Sequence, residues 1–139
     1  MSIALQAATA QSSTGYAVDQ WIDLTLEPIL KLWQGVGGHS NFFFSEEDAR
    51  EANGAYEGSK AFRFAETLWR LAQVQPNPVL GYRQEIAEFV VDLPVPAAVG
   101  LCIANASLGS GSVFQYYIPD WESRVYRTGR TFKFSSKGY

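Results

Sequence analysis

From Leu93 to Pro119 the chain carries no charged side chain, and this run constrains the fold more than any other stretch. A bilayer helix needs about 20 predominantly apolar residues in succession. Here Pro94, Pro96, Asn105, Ser107, Gly109, Ser110, Gly111 and Gln115 interrupt the run, so it does not read as a membrane span. Proline and glycine at such spacing punctuate strands instead. Ala97 to Ala104 reads as a buried strand, Leu108-Gly109-Ser110-Gly111 as a turn, and Val113 to Ile118 as a second strand. Ser123 to Thr128 and Arg130 to Ser135 flank Thr128-Gly129 and read as a hairpin.

The first two-thirds reads as helical. Val18, Ile22, Leu26, Ile29 and Trp33 recur at helical spacing, with Pro28 as a kink or a fresh start. Ser45 with Asp48 three residues on forms a capping signature, and Phe62, Ala65, Trp69 and Ala72 make a helical stripe. Leu80 to Leu93 fits helix or strand, leaning to helix at its start. The expected fold is therefore α+β: two or three N-terminal helices on one face of a C-terminal antiparallel meander. With 139 residues it suits one domain over 16–139, preceded by a mobile arm of small polar residues over 1–15.

Few groups suggest chemistry. Cys102 is the only cysteine, so no internal disulfide is possible, and it sits in an apolar run as a small hydrophobe would. His39 is the only histidine and lies in a glycine connector, Gly35 to Asn41, with no partner legible for a nucleophile. That connector lacks the Lys and the preceding strand of a phosphate loop. One Cys and one His disfavour zinc. Glu85 and Glu88, one helical turn apart beside Arg83 and Gln84, read as a solvated face. No cofactor, metal or catalytic residue is expected on these grounds. The N-terminus shows no positive region before an apolar stretch, so no secretory signal is read, and a cytoplasmic or within-particle location is expected.

Charge and aromatic content point to macromolecular contact. The chain through Glu122 holds all 14 acids and six bases, whereas Ser123 to Tyr139 holds five bases and no acid. Phe42, Phe43 and Phe44 stand in a row, and rings at adjacent positions cannot all face one core from a regular element. Partner contact is accordingly expected at Phe42, Phe43, Phe44, Arg124, Tyr126, Arg127, Arg130 and Lys133. The leading expectation is a non-enzymatic structural or interaction subunit of a homo-oligomer or larger assembly, such as a virion. The alternatives are a small-ligand domain or enzyme with a pocket lined by Trp69, Tyr116 and Trp121, and an adaptor or inhibitor meeting nucleic acid, or an enzyme acting on it, through the basic hairpin.

Overall fold

The structure, a computed structural model, describes residues 2–36, 40–48, 69, 72–74, 83, 85–109 and 113–133. Its main element is a seven-stranded antiparallel sheet: β1 (Trp21–Leu26), β2 (Lys31–Gly35), β3 (Phe42–Ser45), β4 (Glu85–Val91), β5 (Val95–Leu101), β6 (Phe114–Tyr117) and β7 (Val125–Lys133). The order across the sheet is β1-β5-β6-β3-β2-β4-β7. One α-helix, α1 (Ile3–Ser13), precedes it. The expected helices packed on a C-terminal meander are thus corrected to a sheet that begins at Trp21. The expected elements over 49–68, including most of the stripe that contains Trp69, and the expected turn and strand end at 110–111 and 134–135 lie outside the described residues. Among the described residues no helix is long and apolar enough to cross a membrane.

Two short connections bend the sheet. β4 and β5 stand four places apart in the order, yet only residues 92–94 join them. Strands about 4.8 Å apart would put them roughly 19 Å apart in a flat sheet. The four residue steps from Val91 to Val95 reach at most about 14 Å. The turn between β1 and β2 spans the same four places. The sheet must curl, and its inner face becomes a core. Leu26, Val95 and Ala97 from one end of the order pack with Val91 and Val125 from the other, around Leu32, Phe43, Phe89 and Ile118. Phe43, Phe89 and Trp121 meet edge to face, with centroids 5.2–5.7 Å apart. Such ring pairs add to the area they bury.

The expected helix from Ala17 to Trp33 is instead β1, a tight turn and the start of β2, two strands that do not pair with each other, because Pro28 takes the second position of that turn. Leu30 N–H donates to the Glu27 carbonyl at 3.3 Å, and Ile29 follows Pro28 with φ of 64°. A turn with positive φ at its third position ordinarily takes glycine; a β-branched residue there is strained. Leu80–Leu93 resolves as β4 from Glu85 onward, its Ile-Ala-Glu-Phe-Val-Val buried on both faces apart from half-buried Val90. The expected hairpin over 123–135 is one continuous edge strand, β7. Thr128-Gly129-Arg130 makes a bulge rather than a turn, since Ala87 pairs with Thr131 and Phe89 with Arg127.

Residues expected as a mobile arm form α1 and pack on β1 and β5. Ser2 accepts the Leu5 N–H at 3.1 Å, and Asp23 accepts the Ala4 N–H at 2.5 Å, so two otherwise unpaired donors of the first turn are satisfied. Ala7 is fully buried against Trp21 and Ala98. Trp21 in turn lies flat on Gly100, where an added Cβ would come within 3.0 Å of its ring. Further along, Gln11 donates to Asp19 Oδ2 at 2.7 Å and accepts from Asp19 N–H and Trp21 Nε1–H. Asp19 Oδ1 accepts from the N–H groups of Ile103 and Ala104, at 2.9 and 2.7 Å. This buried network joins the helix, the start of β1 and the end of β5.

Two outcomes are expected from this architecture. Ile29→Gly relieves the turn and raises stability by about 1 kcal/mol in urea unfolding. Asp19→Ala strands two backbone donors and Gln11, lowering stability by about 3 kcal/mol. In hydrogen exchange, amides of α1 then lose protection before those of β4.

Candidate functional site

The partner residues expected from sequence are scattered by the fold. Phe43 points into the inner core, while Phe42 and Phe44 point to the outer face. Phe42 is half-buried between Trp21 and Tyr117, at 5.8 and 5.0 Å, and Phe44 is buried edge to face on Trp69 at 5.7 Å. At this strand both faces of the sheet carry packed rings, so three adjacent phenylalanines all find contacts within the chain. Trp69 stands on the outer face while Tyr116 and Trp121 border the inner core, so the pocket imagined between them is not formed.

Along β7 the basic residues differ in their commitments. Arg124 donates to the Pro94 carbonyl at 2.6 Å. Tyr126 is 50% exposed and pairs with Val90. Arg127 is exposed opposite Phe89, and Lys133 ends the strand opposite Glu85. Arg130 reaches back over the sheet to Glu88.

Glu88 is the residue that sequence reasoning placed wrongly. It is 1% exposed, whereas a solvated helix face had been expected. In a strand, Glu85 and Glu88 lie three positions apart and point to opposite faces. Register places Phe44, Trp33 and Glu88 side by side across β3, β2 and β4, with the bulge of β7 over the carboxylate. Thr128 donates its hydroxyl proton to Glu88 Oε1 at 2.8 Å, and Arg130 donates from Nη1 to Oε2 at 2.7 Å. The Arg130 N–H donates to Thr128 Oγ1 at 3.2 Å, and Gly129 takes a φ of 96° to let the bulge close. The guanidinium also lies 5.8 Å from the centre of the Trp33 ring, within cation–π range. Trp33 Nε1–H donates to Glu46 Oε1 at 3.2 Å.

The other acids of the fold differ from Glu88 in what holds them. Asp19 and Asp23 bind backbone amides. Asp48 accepts from the Ser45 hydroxyl and the Phe114 N–H, while its own N–H donates to Ser45; burial raises its carboxyl above the usual range. Backbone donors cannot swing away. Glu88 is held by two side chains on an exposed bulge, one of them 63% exposed. Glu88 thus combines full burial with donors that are side chains only, next to Trp33 of β2.

Cysteine chemistry is excluded in the resting fold. Cys102 is buried, its Sγ–H is 3.8 Å from Gln115 Oε1, and burial pushes its thiol up to about 12. A thiol so protonated is a poor nucleophile. Among the described residues no three His, Cys, Asp or Glu groups converge as a metal site. His39 lies outside them.

With this geometry in place, comparison with known proteins is specific. A family model described as Rhs1CTD, Rhs1 C-terminal toxin domain, matches residues 1–120. A solved structure, Rhs1-CT in complex with cognate immunity protein RhsI1, superposes with a TM-score of 0.77 at 22% identity, covering 94% of this chain and 96% of that one. It has the same fold. The structure of Tse6 in complex with Tsi6 aligns at a TM-score of 0.48 and 12% identity, covering 89% and 92%. No curated protein matches the sequence. The match overturns the reading as a virion or other structural subunit, as well as the adaptor alternative. It covers 120 residues, from α1 through β6, and so the chain belongs to the Rhs1 C-terminal toxin domain family.

Proposed function

We propose that this domain is a toxin effector held harmless by a cognate immunity protein, and that Glu88 is the group on which its toxicity depends. The family match over residues 1–120 carries the first part. The solved structure with the same fold is a complex with an immunity protein, which supports a protein partner here. Neither comparison supports the homo-oligomer or nucleic-acid partner expected from the sequence. The assignment to Glu88 rests on its burial and on the displaceable side chains that hold it.

Chemically, the site keeps a carboxylate dry and oriented while leaving its counter-ion at the surface. Removal of Arg130 and Thr128 from Glu88 by a bound target exposes a charge in a low-dielectric setting. Attraction to a cationic centre is strengthened in such a setting. Trp33 offers an apolar wall next to it.

Inducible expression in a bacterial host should arrest growth. A genomic library from the source organism, selected for clones that restore growth, should yield the immunity protein. Glu88→Gln preserves the shape and one acceptor for Thr128, so it should melt within a few degrees of the parent yet restore plating by about 100-fold or more. A wild-type chain that leaves growth unaffected refutes the toxin reading. A folded Glu88→Gln variant that still kills refutes only the assignment to Glu88.

A further inference from the structure

We propose that β7 from Tyr126 onward is a flap, which swings on a fixed root at Arg124–Val125 and so opens and closes access to Glu88. This rests on the reading of Glu88 as the group that toxicity needs, and it describes how that group is reached.

The root is firmly held. Val125 is 1% exposed and belongs to the inner core. Beside it, the Arg124 carbonyl accepts the Asp92 N–H at 2.8 Å, and the Arg124 N–H donates to the Trp121 carbonyl at 3.0 Å. The Arg124 guanidinium donates to the Pro94 carbonyl at 2.6 Å. Beyond the root burial stops. Tyr126, Arg127, Thr128, Gly129, Arg130 and Thr131 are all exposed. A stretch of strand that buries no side chain gains little from the hydrophobic effect. What holds it is the ladder to β4 and the two bonds to Glu88. Such segments are the ones that open locally.

The other edge of the sheet is built differently. Among the described residues β1 also pairs on one side only. Trp21 and Leu26 at its two ends are 8% and 3% exposed, and α1 packs on it. β1 is thus pinned at both ends and β7 at one.

The ladder of β7 is itself divided. A near arm pairs Val125, Tyr126 and Arg127 with Val91, Val90 and Phe89, and a far arm pairs Thr131, Phe132 and Lys133 with Ala87, Ile86 and Glu85. Thr128-Gly129-Arg130 bulges between them, opposite Glu88. A bulge interrupts ladder bonds, so the far arm can lift while the near arm stays. Nothing lies within 4 Å of a Cβ placed on Gly129, so nothing packs on that side of the bulge.

Both donors to Glu88 ride on the bulge, Thr128 at 2.8 Å and Arg130 at 2.7 Å. When the far arm lifts they leave together, and water takes their place at the carboxylate. Withdrawal of one side chain under a closed strand would instead strand a buried charge, which is costly. Motion of the strand is therefore the easier way to open the site. Thr128 and Arg130 are positioning residues, which orient Glu88 in the closed state and latch the flap through it.

Two measurements on the purified chain test this. In hydrogen exchange, the amides of 127–131 that bond β4 should exchange about tenfold or more faster than the amides of β1 that bond β5. Carbodiimide labelling read by mass spectrometry follows Glu88 itself, with exposed Glu27 as the fast control and buried Asp19 as the slow one. Ala87→Cys/Thr131→Cys places a disulfide across the far arm; Cys102 is buried and does not compete. Oxidation should slow labelling of Glu88 by about tenfold or more, and reductant should restore it. Val90→Cys/Tyr126→Cys pins only the near arm, and its oxidation should leave labelling within about threefold of the parent. Labelling at the parental rate in oxidised Ala87→Cys/Thr131→Cys assigns access to the side chains of Thr128 and Arg130 alone and overturns the flap. Far-arm amides that exchange no faster than those of β1 also overturn it, and that measurement on the parent decides alone if no disulfide forms. Neither readout involves killing, so a folded Glu88→Gln chain that still kills strikes the functional reading and not this motion.

Discussion

Closure of the sheet by its two short connections is the constraint on which the rest of the structure depends. Residues 27–30 and 92–94 each tie together strands that are four places apart. A flat sheet cannot satisfy either tie, so the sheet wraps and its inner residues find one another. Leu26 and Val95 would have no core to join without Val91 and Val125 brought round to meet them. The outer face then becomes convex and must be covered piecemeal. α1 does this at one place and the region of Trp69 at another. Glu88 lies where the convex side carries neither cover, under a bulge of the last strand.

The sequence conveyed β5 and β6 better than β1, β2 and β7, and the reason is physical. Ala97–Ala104 and Val113–Ile118 are uncharged and bounded by Pro and Gly, so turn chemistry outlines them. β1 and β2 sit on either side of a turn that uses Ile29 where glycine belongs, and the apolar residues of this segment happen to recur at helical spacing. Local pattern alone cannot decide such a case; the tertiary demand of the curl decides it. α1 was missed for a different reason. Its contact face is made of Ile3, Ala4, Ala7, Ala8 and Gln11, in the main small or polar residues that give little hydrophobic signal. What fixes it is a hydrogen-bond network with Asp19, which no periodicity reveals.

Glu88 shows how one wrong element misplaces a site. On a helix, Glu85-Ile-Ala-Glu88 offers two acids to water. On a strand paired on both sides, the same four residues send one acid into the protein. The signal was present: a single acid sits inside Ile86-Ala87-Glu88-Phe89-Val90-Val91, a run apolar enough to be buried on both faces. A lone charge in such a run needs a partner, and the acid-free terminal segment held the candidates. The charge contrast between body and tail was therefore legible, although its first use is inside the molecule, between Arg130 and Glu88.

That the strand made last supplies both groups holding Glu88 has a consequence for biosynthesis. A ribosome that has delivered everything up to Ser123 has produced the acid without its clamp, and the neighbours of β4 on one side are still missing. Pairings such as Trp21 with Gly100 and Lys31 with Val90 already require distant parts of the chain to meet, which slows assembly. Glu88 is therefore held only after the final described strand has laid its bulge against β4.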